Sequence, residues 1–279
     1  MTPEKLAVVV FLVCFMLLAG LQCPLADLRE AFRSPIRLLR IFSGDFVIVP
    51  IIGVIVVRLF QLDDYVATGI LLMAISPGVP FLPLIAGAKK GGSAGLATGL
   101  AVILPAISII TVPITAPLVL PANAEAHIVF APFIVNLLLF QLLPLCVGLF
   151  LRERVAGAAA QLEKFATILL IASGVVVFYF LIPKMGQSLA TVYGSRGLMA
   201  TLVIVVLCAV VGWFLGGRTL EYRVTQSIST TMRNFGLATL IATQTFPDTV
   251  AGAVVIAYFA IQFVFANLLG LYYKRSEAK

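Results

Sequence analysis

Ser227-Ile228-Ser229-Thr230-Thr231-Met232-Arg233-Asn234 is a polar run ending in an arginine, and it lies inside an apolar segment spanning residues 225–245. A second irregular stretch, Ser76-Pro77-Gly78-Val79-Pro80, sets two prolines and a glycine within the apolar segment 66–88, with Pro83 soon after. Proline removes the N–H that closes a helical turn, so the second stretch interrupts its helix. An arginine at that depth needs a partner or a wet cavity. Working outward, further apolar segments stand at 6–22, 39–60, 93–120, 127–150, 164–183, 197–216 and 249–272.

Of the 279 residues 61% are apolar and 11% charged, against roughly half and a quarter in soluble domains. A bilayer core about 30 Å thick takes about 20 apolar residues per helix. The predicted fold is therefore an all-α polytopic membrane protein of about nine transmembrane helices, forming a single transporter-like domain over 1–279 with short connections. Basic residues are dispersed between apolar runs despite the net charge of +7, so the expected partner is the lipid bilayer and no nucleic acid. Cys14, Cys23, Cys146 and Cys208 lack ligand or CxxC spacing, and His127 sits beside Glu125 in a polar connection. No metal, cofactor or enzymatic chemistry is expected from them. Gly20-Leu21-Gln22-Cys23 matches no cleavage site, so segment 6–22 reads as a mature helix.

Counting Lys and Arg over alternate connections places Arg29, Arg33, Arg37, Arg40, Lys89, Lys90, Arg152, Arg154, Lys164, Arg218, Arg223, Lys274, Arg275 and Lys279 on one side. Lys5, Arg58, Lys184 and Arg196 fall on the other. The positive-inside rule then sets the C-terminus in the cytoplasm and the N-terminus outside, in a cell (plasma or inner) membrane. Ala26 to Arg40 reads as an amphipathic helix at an anionic lipid surface, interrupted at Pro35. Segments one to four run opposite to segments six to nine, which permits an inverted repeat. The third member of each quartet is the interrupted one, the pattern that points to a transporter's midplane binding site. Broken helices expose N–H groups that favour anions, so a small organic anion is the expected substrate. Asp45, in Ser43-Gly44-Asp45-Phe46, is the acidic residue deepest in an apolar segment and the candidate partner of Arg233. The alternative is that Asp45 meets headgroups or Arg40. Asn136, Gln141 and Gln262 read as interhelical hydrogen-bonding residues.

At the two interrupted stretches the chain resembles the bile acid/sodium symporter family. Ser76-Pro77-Gly78-Val79-Pro80-Phe81-Leu82-Pro83 aligns with a family motif that reads roughly Cys-Pro-Gly-Gly-Thr-x-Ser-Asn. Ser229-Thr230-Thr231-Met232-Arg233-Asn234-Phe235-Gly236-Leu237-Ala238 aligns with the second, Glu-x-x-Met-Gln-Asn-x-Gly-Leu-Ala. The resemblance implies two discontinuous crossing helices, a panel of the helices near 6–22, 127–150 and 164–183, and a core of those near 39–120 and 197–272. It also implies alternating access around a substrate site at Gly78, Val79, Pro80 and Asn234. In sodium-coupled members the first sodium site uses positions that here are Leu82, Pro83 and Ser229, and the second uses Ser229, Arg233 and Asp45. A guanidinium thus stands where a cation would bind. The expectation is that Arg233 and Asp45, with Ser229 beside them, replace sodium. A sodium-coupled symporter, a non-transporting sensor and a channel remain the alternatives.

Overall fold

The computed structural model describes residues 3–87, 91–122, 130–194, 196–247 and 249–277; His127, Glu125, Lys89, Lys90 and Lys279 lie outside them. Its helices are α1 (Pro3–Leu21), α2 (Leu25–Phe32), α3 (Pro35–Phe42), α4 (Val49–Leu59), α5 (Asp64–Ala74), α6 (Leu82–Ala86) and α7 (Ala94–Val119). Then follow α8 (Phe130–Leu137), α9 (Leu143–Arg154), α10 (Ala156–Gly194), α11 (Gly197–Leu215), α12 (Leu220–Thr231), α13 (Phe235–Thr245) and α14 (Ala251–Glu277). Wide π-helical turns, Ser43–Ile48 and Leu138–Leu142, join α3 to α4 and α8 to α9 without breaking the rod.

Six described helices are long and apolar enough to cross a membrane: Pro35–Leu59, Ala94–Val119, Ile134–Arg154, Gly157–Phe180, Gly197–Leu215 and Ala251–Lys274. Taken as one broken span, the pair Lys5–Leu21 and Leu25–Phe32, bent by 85°, brings the number to seven. The molecule is a multi-pass helical membrane protein. Its outer faces fit that reading: Val47, Ile51, Ile55 and Leu59 form an exposed stripe along one span, and Ile110, Ile114 and Leu118 another on α7. Stripes at helical spacing that would be a liability in water face acyl chains instead.

One boundary differs from the sequence reading. The interruption expected at Pro35 is present, but the part after it is no surface helix: α3 runs straight into the span Pro35–Leu59, which starts before the expected 39. Ser34 accepts a bond from the Arg37 N–H at 3.4 Å and Pro35 follows at the first helical position, so the proline starts the span. The 25-residue span is about 37 Å long at about 1.5 Å per residue, which leaves its first turns to emerge at headgroup level.

Several pairs of helices pack closely. α1 lies against α9 and α10, whereas α11 packs on α12 and α4, α14 on α5, and α6 on α7. The α1–α9 contact is backbone to backbone at Gly20 and Gly148: a Cβ on Gly20 would stand 2.7 Å from the Leu149 nitrogen, and one on Gly148 2.8 Å from the Leu21 nitrogen. Small residues permit this approach in lipid. Gly148→Val is expected to cost about 1–3 kcal/mol through overpacking, read as a lower unfolding midpoint in detergent.

Candidate functional site where two broken helices cross

α5 stops at Ala74 and α6 starts only at Leu82, because Pro77, Pro80 and a left-handed Gly78 (φ 82°) occupy the gap. α12 stops at Thr231, Met232 is extended, and α13 resumes at Phe235 under an Asn234 cap whose Oδ1 accepts from the Leu237 N–H at 3.0 Å. The two gaps meet. Pro77 and Arg233 form an isolated antiparallel bridge, and the Asn234 N–H donates to the Ser76 carbonyl at 2.7 Å. Breaking both helices frees backbone groups that hydrocarbon cannot satisfy, and the crossing lets them satisfy one another.

Arg233 lies at the centre, fully buried. Its Nη1 meets Asp45 Oδ1 at 2.9 Å, and its Nη2 donates to the Asp45 carbonyl at 2.8 Å and to the Ala74 carbonyl at 2.7 Å. Nε faces the Met73 carbonyl at 3.4 Å. Met73 and Ala74 are the last residues of α5, so the guanidinium occupies the negative end of a half-helix, where unpaired carbonyls gather. Gln262 on α14 clamps the Arg233 backbone, accepting from its N–H at 2.9 Å and donating to its carbonyl at 3.1 Å. Asp45 is equally buried on its π-helical turn, and its second oxygen accepts from Gln226 Nε2 at 3.0 Å. π-helical turns recur at functional sites because they re-aim one side chain into the interior. The headgroup and Arg40 alternative for Asp45 is thereby set aside.

Ser229 is buried on α12, and its hydroxyl has no hydrogen-bond partner among the described residues, the ion pair included. Gly78, Val79 and Pro80 are buried in the first gap, and Gly78 rests on α7 at Leu104 and Pro105. Among the described residues eight buried side-chain polar atoms lack a partner; Ser76 Oγ, Ser229 Oγ, Asn234 Nδ2 and Thr239 Oγ1 belong to the two motifs or the half-helix following one. Orphaned buried polar atoms ask for water or a ligand.

Sequence reasoning missed Gln226, one helical repeat before Arg233, and the role of Gln262. It also missed a phenylalanine cluster over the crossing. Phe235 stacks on Phe259 at 4.4 Å, and Phe178 stacks on Phe235 at 6.1 Å. Phe15 meets Phe81 at 5.2 Å, and Phe11 meets Phe235 edge-on at 6.0 Å. Phe81 and Phe235 stand at the entrances of the two second half-helices, while Phe11 and Phe15 come from α1 and Phe178 from α10. Polar contacts also cross between helices: Asn136 donates to Gln244 at 2.5 Å, and Gln141 donates to the Pro105 carbonyl and, at 2.8 Å, to Ser108 Oγ.

The sequence profile of the sodium bile acid symporter family matches residues 9–185, well over half of the chain and including the first gap. The chain belongs to this family. No curated protein sequence matches the chain closely enough to add a named relative. Members of the family are transporters of the bile acid and organic anion type, not enzymes. In a sodium bile acid symporter family protein, two broken helices meeting at a buried polar centre are the natural candidate site.

Proposed function

We propose that this protein is a secondary active transporter of a small organic anion, working by alternating access without sodium. The observation that carries this reading is Arg233, a fixed cation seated on the C-terminal carbonyls of α5 and balanced by Asp45. Half-helix C-termini coordinate coupling cations in transporters with broken helices, and here an internal guanidinium takes that place. Ser229, on α12 just before the gap that holds Arg233, would be a vestige of the ligand set. The substrate anion would sit against Gly78, Val79, Pro80 and Asn234, drawn by the half-helix N-termini at Leu82 and Phe235.

In this reading nine crossings arise when α1 and the two broken pairs, α5 with α6 and α12 with α13, are added to the six long helices. The quartets before and after the fifth crossing form an inverted repeat. α1, α8 with α9, and α10 make the panel, and the remaining crossings make the core. The close packing of α1 on α9 and α10 supports that division. The phenylalanines from α1 and α10 would part from Phe81, Phe235 and Phe259 when the site opens. The N-terminus lies outside and the C-terminus in the cytoplasm of a cell membrane.

The test is the unfolding midpoint of the purified protein in sodium chloride against potassium chloride at equal ionic strength. A ligand that binds only the folded state raises stability by RT ln(1 + [L]/Kd). Equal midpoints are expected, together with saturable carboxylate uptake into proteoliposomes that is indifferent to sodium. A sodium-specific rise would restore a sodium-coupled symporter, and conductance without saturation would make the protein a channel.

A further inference from the structure

We propose that the elbow between α2 and α3 is a binding site for an anionic phospholipid, with the phosphate held by Arg29 and Arg33. The inner face of the elbow is held by several contacts. Ser93 Oγ donates to Glu30 Oε1 at 2.9 Å, Arg37 donates to the Glu30 carbonyl at 2.5 Å, and its guanidinium stacks on the Tyr222 ring at 4.4 Å. Asp27 and Glu30, the acidic residues of α2, both lie against α7 at Gly95. Asp27 Oδ1 and both Glu30 oxygens thus lie at the α7 side, against Gly95 and Ser93.

That outer face pairs cations with apolar surface. Arg29, Arg33 and Arg40 form no ion pair with any described residue. Phe32, Ile36 and Leu39 are 52%, 66% and 69% exposed between them. A groove of about 670 Å³ is lined by Leu25, Leu28 and Phe32 together with Arg29, Arg33 and Glu30, and one Glu30 oxygen is held by Ser93. The first turns of the span Pro35–Leu59 reach headgroup level here, and Arg40 lies beside Gly217, next to Arg218.

The mixture selects the ligand. A soluble anion would leave Leu25 and Phe32 in contact with water, whereas a phospholipid sets its phosphate on the guanidiniums and an acyl chain in the groove. Guanidinium recognises phosphate with paired N–H donors, and each basic residue near an anionic surface adds to the attraction. The bound lipid would fix α2, and through Ser93 the start of α7, at the membrane surface.

The experiment uses the full chain in a neutral detergent and reads the unfolding midpoint while phosphatidylglycerol, phosphatidylcholine or inorganic phosphate is titrated in. A rise with phosphatidylglycerol alone is expected. R29Q/R33Q should weaken the apparent affinity for phosphatidylglycerol about thirtyfold with little change in the lipid-free midpoint, and R29K/R33K should retain most of it. An unchanged response in R29Q/R33Q would overturn the proposal, as would an equal rise with inorganic phosphate. Should R29Q/R33Q fail to fold, native mass spectrometry of the wild type decides. Retained phosphatidylglycerol over phosphatidylcholine supports the site, and equal retention overturns it.

Discussion

Arg233→Gln is expected to destabilise the protein by about 3–5 kcal/mol and to abolish uptake. The first figure follows from what the guanidinium leaves behind: a fully buried Asp45 carboxylate with only Gln226 as partner, the situation in which one half of a buried ion pair has been removed. Asp45→Asn should cost a similar amount, since Arg233 would keep the Met73, Ala74 and Asp45 backbone carbonyls but lose its counter-charge. Single variants alone cannot separate a structural pair from a functional one. The double variant D45L/R233M can, because replacing both members of a buried pair by apolar residues of similar volume is often neutral or stabilising. The expected result is a midpoint restored towards wild type with uptake still absent. Restored uptake in D45L/R233M would mean that the charges serve the fold only, and the role of Arg233 as an internal cation would fall.

The ion pair was legible because each member is a charge in an apolar context, where chemistry leaves few alternatives. Its surroundings were not. Gln226 and Gln262 carry amides that serve equally as helix glue, so nothing in the sequence separates a clamp on Arg233 from an ordinary interhelical bond. The carbonyls of Met73 and Ala74 have no sequence signature, since every residue carries one. They become ligands only because α5 ends there. The phenylalanines are similar: Phe178 at the crossing and Phe165, 62% exposed on the same helix, look alike in a segment apolar on all sides. Ser34-Pro35 was readable and was misread. The apolar run of the second span begins near Leu39, although a serine cap followed by proline at the first helical position is a start signal. Long basic side chains reach headgroups from inside a span's first turns, so charge does not mark where the helix begins.

Gly78→Ala is the second variant with a large expected effect, about 2–5 kcal/mol of lost stability together with lost transport. Two separate costs meet at this position. Its φ of 82° is left-handed, which charges an L side chain about 1–2 kcal/mol. A Cβ would also stand 2.5 Å from Pro105 Cδ and 2.6 Å from Leu104 Cβ, contacts that force a shift worth typically about 1–3 kcal/mol. The clash lies at the α7 turn that Gln141 contacts from α9's side, so yielding there would disturb the Gln141 bonds to Pro105 and Ser108 as well as the first gap. Pro80→Ala provides the contrast. It removes ring carbons from the same gap and adds only a backbone N–H hydrogen, and the gap stays open because Gly78 and Pro77 remain, so its cost in stability should be well below that of Gly78→Ala. The unfolding midpoints of the two variants, measured side by side in detergent, check the ordering. If Gly78→Ala proves no worse than Pro80→Ala, the first gap is plastic, and the close seating of Gly78 on α7 does not hold the crossing in place.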